Sequence, residues 1–70
     1  MSDARDKLAF NLKTLRLNKN KNIHEVANEI GLAYSYLYNL EMQKVQKNPS
    51  MDILDKLAAY YDVEVYELFL

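Results

Sequence analysis

Cysteine and tryptophan are absent from this 70-residue chain, and glycine, proline and histidine occur once each. Without cysteine, no disulfide and no thiolate-bound metal can brace the fold. One histidine, His24, makes no metal site by itself. His24-Glu25 also fails to extend into a zinc-protease motif, because position 28 is asparagine. There is no glycine-rich phosphate loop and no thiol nucleophile, so the chain reads as lacking catalytic residues. No metal, cofactor or small-molecule ligand is expected. No apolar run approaches the roughly 20 residues that span a bilayer. The opening residues Met1 to Lys7 lack the apolar centre of a signal peptide. A cytoplasmic protein with no membrane partner is the expectation.

What is present suits a small folded domain. Half the residues are hydrophobic and 27% are charged, too apolar a mixture for a disordered chain. Seventy residues allow one domain, near the lower limit for a self-sufficient core. The net charge is only −1, yet it is unevenly spread. Residues 1–47 hold eight Lys/Arg against five Asp/Glu, a net of +3, and residues 48–70 carry a net of −4. A basic front and an acidic back suit a protein that turns one face to a polyanion.

With so few helix breakers, apolar spacing sets the elements. Leu8, Leu12 and Leu15 recur at i, i+4 and i+7, the stripe of an amphipathic helix from Ala4 to about Leu17, capped by Ser2 or Asp3. Phe10 and Leu17 lie on nearly the opposite face, a candidate contact for a partner or second subunit. Asn22 followed by Glu25 is a capping-box pattern, with Ile23 as the first helical residue. Val26, Ala27 and Ile30 then keep helical spacing up to Gly31, a stop signal, since glycine enters the left-handed region without a Cβ clash. Ala33, Leu37 and Leu40 open another apolar face. Pro49 breaks the chain again and Ser50 can cap a helix over 51–61, with Met51, Leu54, Leu57, Ala58 and Tyr61 inward. A fifth, short helix closes the chain, burying Tyr66 or Val65 with Phe69. Tyr34, Tyr36 and Tyr38 alternate as a strand would, but no other segment offers a pairing partner. The architecture expected is an all-α, five-helix bundle forming a single domain over 1–70.

Two short helices joined by a glycine turn, about 23–42, form a helix-turn-helix whose second helix can enter a major groove. On that helix Leu37 points inward, with Ala33, Leu40 and Glu41 near the core. Ser35, Tyr38, Asn39 and Met42 point outward, and Tyr34 lies on the boundary. Asparagine can bond adenine bidentately, serine can donate or accept at a base edge, and apolar surface can meet a thymine methyl. Tyr34, Ser35, Tyr38 and Asn39 are therefore the candidate groove contacts. Asn22, His24, Lys44 and Lys47 are the candidate phosphate contacts, with Lys13, Lys19 and Lys21 as further basic groups. Arg16 is expected to pair with the inward-leaning Glu41, because a buried carboxylate needs a partner.

These residues resemble the Xre/Cro family of phage-type repressors. The resemblance covers Leu8 to Phe69. It rests on Leu12-Lys13-Thr14-Leu15-Arg16, Ala27, Gly31, Ser35, Leu37, Glu41, Asn48-Pro49-Ser50, Leu54, Leu57-Ala58, Val63 and Glu67-Leu68-Phe69. It implies five helices, an internal Arg16–Glu41 pair and sequence-specific binding of double-stranded DNA as a homodimer on a palindromic operator. Where the family often has glutamine at the start of the second helix, this chain has Ile23. Where the recognition helix often carries arginine or lysine, Tyr34, Tyr38, Asn39 and Met42 stand. The alternative is the same fold serving as a protein-interaction module, such as an antagonist of a related repressor.

Overall fold

The computed structural model describes residues 3–44 and 48–70. Helix α1 spans Ala4–Asn18, α2 Ile23–Ile30, α3 Tyr34–Glu41 and α4 Met51–Tyr61. A 3-10 helix, Val65–Phe69, closes the chain. Among the described residues the arrangement is thus four α-helices and one tighter turn, and the Tyr34–Tyr38 alternation lies within a helix.

Each boundary has a local cause. At α1 the cap is Asp3: its side chain accepts from the Asp6 amide at 3.0 Å, and the Asp6 carboxylate accepts from the Asp3 amide at 3.2 Å. Ser2 lies outside the described residues. Asn22 and Glu25 make the same reciprocal box at α2, at 2.8 and 2.9 Å. Together these satisfy two backbone donors that a helix start would otherwise leave open. Gly31 ends α2 at φ +76°, in the left-handed region, and turns the chain into α3. Ser50 accepts from the Ile53 amide at 3.2 Å to start α4.

The core is one cluster in which Leu8, Leu12, Val26, Leu37, Leu57 and Leu68 are fully buried. All four α-helices and the terminal turn supply it. Helices α2 and α3 pack on each other, and α1 packs behind α3 and against the terminal turn. The Asn11 side-chain amide donates to the Leu68 carbonyl at 2.9 Å, which fastens the terminal turn to α1.

Two expected core positions differ, and one open alternative is decided. Of Val65 and Tyr66, it is Val65 that packs on the core with Phe69, while Tyr66 is 65% exposed and Leu68 is fully buried. A 3-10 helix repeats every three residues, so Val65 and Leu68 share the inner face; an α-helical period would have grouped the segment otherwise. Met51 is 61% exposed. It is the first residue of α4, where side chains lean back past the helix start rather than onto the bundle. Ala33 is exposed as well, because it is the cap residue outside α3 rather than part of its inner face.

Candidate nucleic-acid interface

Helix α3 is anchored from behind. The Arg16 Nε donates to both oxygens of Glu41, at 3.1 and 3.0 Å, and its Nη1 donates to the Lys21 carbonyl at 3.0 Å. Both side chains are buried. A charge removed from water is tolerated only when paired and hydrogen-bonded, and here one guanidinium ties three pieces together. They are α1, the α1–α2 connection and the C-terminal end of α3. Arg16 is therefore held inside the fold, away from any phosphate. Nearby, burial first and the Glu41 charge second push the Tyr61 hydroxyl above the usual tyrosine range.

The outer side of the motif carries aromatic rings. His24, in the first turn of α2, stacks face to face on Tyr34, the first residue of α3, with ring centroids 3.8 Å apart and planes 12° from parallel. Tyr34 in turn stacks on Tyr38, one helical turn along, at 5.9 Å and 28°. Lys44, beyond α3, places its Nζ 5.8 Å above the Tyr38 ring, within cation–π range. The α2–α3 turn built around Gly31 brings the starts of both helices to one place. Ala33 supplies no side-chain cap, so the first amides of α3 are left without one, beside the His24–Tyr34 stack.

Four of the candidate residues thus form one contiguous row: His24, Tyr34, Tyr38 and Lys44. Ser35 is exposed on the same helix, and Asn39 is half-buried. Tyr38 and Met42, expected to point outward, are also half-buried. Tyr38 is covered in part by its stacked neighbour and Lys44. Asn22 is exposed, with its side-chain oxygen committed to the α2 cap. Lys47 lies outside the described residues.

The basic groups before α2 are engaged elsewhere. Lys21 donates to Glu29 at 2.9 Å, the Tyr60 hydroxyl donates to the other Glu29 oxygen at 2.8 Å, and Lys19 sits 4.9 Å above the Tyr60 ring. The hydrogen bond from Lys21, then that from Tyr60, holds the Glu29 carboxyl below its ordinary range. The Glu29 hydrogen bond raises Lys21. This cluster joins α2 to α4 and was not legible in the sequence. Its members are 8 and 31 residues apart and follow no helical spacing. The His24–Tyr34 stack was missed for the same reason, although Tyr34 and Tyr38 are visibly one turn apart.

Four short α-helices, a glycine-turned α2–α3 pair and a buried pair bracing the second helix define a helix-turn-helix DNA-binding domain. Residues 12–68 match the helix-turn-helix family model, and the chain belongs to that family, within its Xre-like branch. It is 39% identical over 57 residues to the HTH-type transcriptional regulator SinR of Bacillus subtilis, an overlap covering 81% of this chain and 50% of that protein. It is 38% identical over 58 residues to the regulator SlrR of the same organism, covering 83% of this chain and 38% of SlrR. The chain therefore spans half or less of the length of these relatives. A solved structure described as a hypothetical transcription factor, NHTF from Neisseria, superimposes with a TM-score of 0.87 at 32% identity. That match covers 97% of this chain and 76% of the other. SinR and SlrR are described as HTH-type transcriptional regulators. Among the described residues, no helix is long and apolar enough to cross a membrane.

Proposed function

We propose that the chain is the operator-reading domain of a transcriptional repressor, which binds a palindromic site in double-stranded DNA as a homodimer. Helix α3 lies in the major groove. Tyr34, Ser35, Tyr38 and Asn39 meet base edges, while Asn22, His24, Lys44 and Lys47 hold the phosphates. The observation that carries this reading is the outer row of His24, Tyr34, Tyr38 and Lys44, set across the helix-turn-helix on the side away from the buried Arg16–Glu41 pair. Phosphate contacts fix register and supply much of the affinity, and base-edge contacts supply specificity.

Dimer formation draws support from a second surface. Phe10 is 70% exposed and Leu70 is 75% exposed, and both line one shallow depression with Asp6, Lys7 and Asn11. An apolar pair flanked by one acid and one base can pair with its own copy about a two-fold axis. Two copies would read two half-sites, about one helical turn apart.

Selection of bound sequences from a random duplex pool tests the reading. The expected product is a two-fold symmetric motif whose affinity falls steeply with salt. Folded protein that enriches no sequence and fails to bind duplex at low salt would remove it. The exposed Phe10 and Leu70 favour one rival, a protein-interaction module of the same fold. That rival predicts a stable complex with a related regulator and no DNA affinity.

A further inference from the structure

We propose that the stacked row His24–Tyr34–Tyr38 reads thymine through its C5-methyl group, with Tyr34 and Tyr38 touching the methyl groups and His24 positioning Tyr34. This rests on the DNA-binding reading above and adds the chemical feature that the domain recognises.

Helix α3, Tyr34 to Glu41, contains no arginine, lysine or glutamine. The bidentate contact from arginine or lysine to guanine, the commonest specific contact, cannot come from this helix. Its hydrogen-bonding side chains off the core are the Ser35 hydroxyl, the half-buried Asn39 amide and the tyrosine hydroxyls. The largest surface left for a base edge is aromatic carbon. In the major groove the largest apolar feature of a base pair is the methyl group on thymine C5.

The row is also held in place before any DNA arrives. Tyr34 is stacked on His24 at 3.8 Å and neighbours the Tyr38 ring at 5.9 Å, and Lys44 closes the row over Tyr38. Rings fixed by their neighbours lose little rotamer freedom on binding, so contact with a methyl group is not offset by ordering. The 5.9 Å between the tyrosine rings is of the order of one to two base steps, at about 3.4 Å each along a strand. The two rings can therefore meet methyl groups on neighbouring base pairs.

The test replaces thymine by deoxyuridine, one position at a time, in the selected half-site. This removes the methyl and leaves every hydrogen-bonding group intact. We expect binding to weaken by about fourfold per contacted methyl, the factor for burying one such group. The loss should occur at one or two adjacent positions. Tyr34→Ala or Tyr38→Ala should abolish the thymine-over-deoxyuridine preference at its own position, with helicity retained by circular dichroism. Tyr34→Phe keeps the ring and should keep the preference. His24→Phe keeps the stack and should also keep it, even as overall affinity drops with a lost phosphate contact; His24→Ala should reduce it. Tight, sequence-specific binding with no deoxyuridine effect at any position would overturn the inference and leave the DNA-binding reading standing. So would a preference that survives both alanine substitutions. Folded protein that binds no duplex at all would remove both.

Discussion

The two sides of helix α3 are built by opposite means. Its inner side carries Leu37, Leu40 and Glu41, all buried, with the carboxylate locked to Arg16. Its outer side carries Tyr34, Ser35, Tyr38 and Asn39, exposed or half-buried, with the rings stacked on one another and on His24. The inner contacts have no substitutes: removing one partner leaves a buried charge or a void. The outer contacts are made among surface groups, and their loss leaves the core untouched. A helix fixed on one side can present chemistry on the other without that chemistry having to hold the fold.

Substitutions that sharpen this contrast can be ranked. The largest effect is expected from Arg16→Ala, which strands the buried Glu41 carboxylate at a cost of about 3–5 kcal/mol. For a domain this small, that approaches the whole stability, and urea titration should find the variant largely unfolded. Replacing both partners together, with Arg16→Met and Glu41→Leu, should recover most of the loss. Leu37→Ala should cost about 2–5 kcal/mol by opening a cavity under α3, visible as a lower urea midpoint. Gly31→Ala meets no neighbouring atom within 4 Å, so only the left-handed backbone at φ +76° opposes it. A cost of about 1–2 kcal/mol follows.

On the outer side the order reverses between stability and affinity. Lys44→Ala should leave thermal stability nearly unchanged, weaken all duplexes alike and lower the salt slope by about one. If it instead lowered stability as much as Leu37→Ala, the contrast between the two sides would collapse. The smallest effect is set by pH. The lowered pKa of Glu29 means that its stabilisation is full above the ordinary carboxylate value of 4.5 and is lost as pH falls through the folded value. Lys21 is raised, so its share persists below the ordinary lysine value of 10.5 and fades as pH rises through the folded one. The difference in melting temperature between wild type and Glu29→Gln should therefore be small at neutral pH. It should shrink further as pH is lowered below 4.5.

Much of the frame was legible because it is written in short-range signals. Asn22 with Glu25, Gly31, and Ser50 after Pro49 each act within a few residues, and their roles are those expected. The leucine stripe of α1 was readable for the same reason, since helical period is local. The errors fall at element ends. Met51 and Ala33 read as core only when a helical period is extended to a first residue and a cap, where that period does not hold, and the choice between Tyr66 and Val65 waits on the 3-10 turn that turns Val65 inward. On the candidate interface, Tyr34, Ser35, Tyr38 and Asn39 could be picked out by their place on α3. Nothing in the sequence indicated that His24 would join them, or that Lys19 and Lys21 would turn toward Tyr60.

By itself the sequence determined the four α-helices, the caps of α2 and α4, the glycine turn between α2 and α3, and hence the helix-turn-helix. Those depend on backbone preferences and apolar periods that act over a few residues. Tertiary structure alone decided which groups became neighbours across the turns. His24 lies flat on Tyr34 because α2 and α3 start side by side. Lys21 and Tyr60 share Glu29 because α4 packs on α2. Such contacts depend on how whole helices are oriented, and that orientation is fixed only when the core closes.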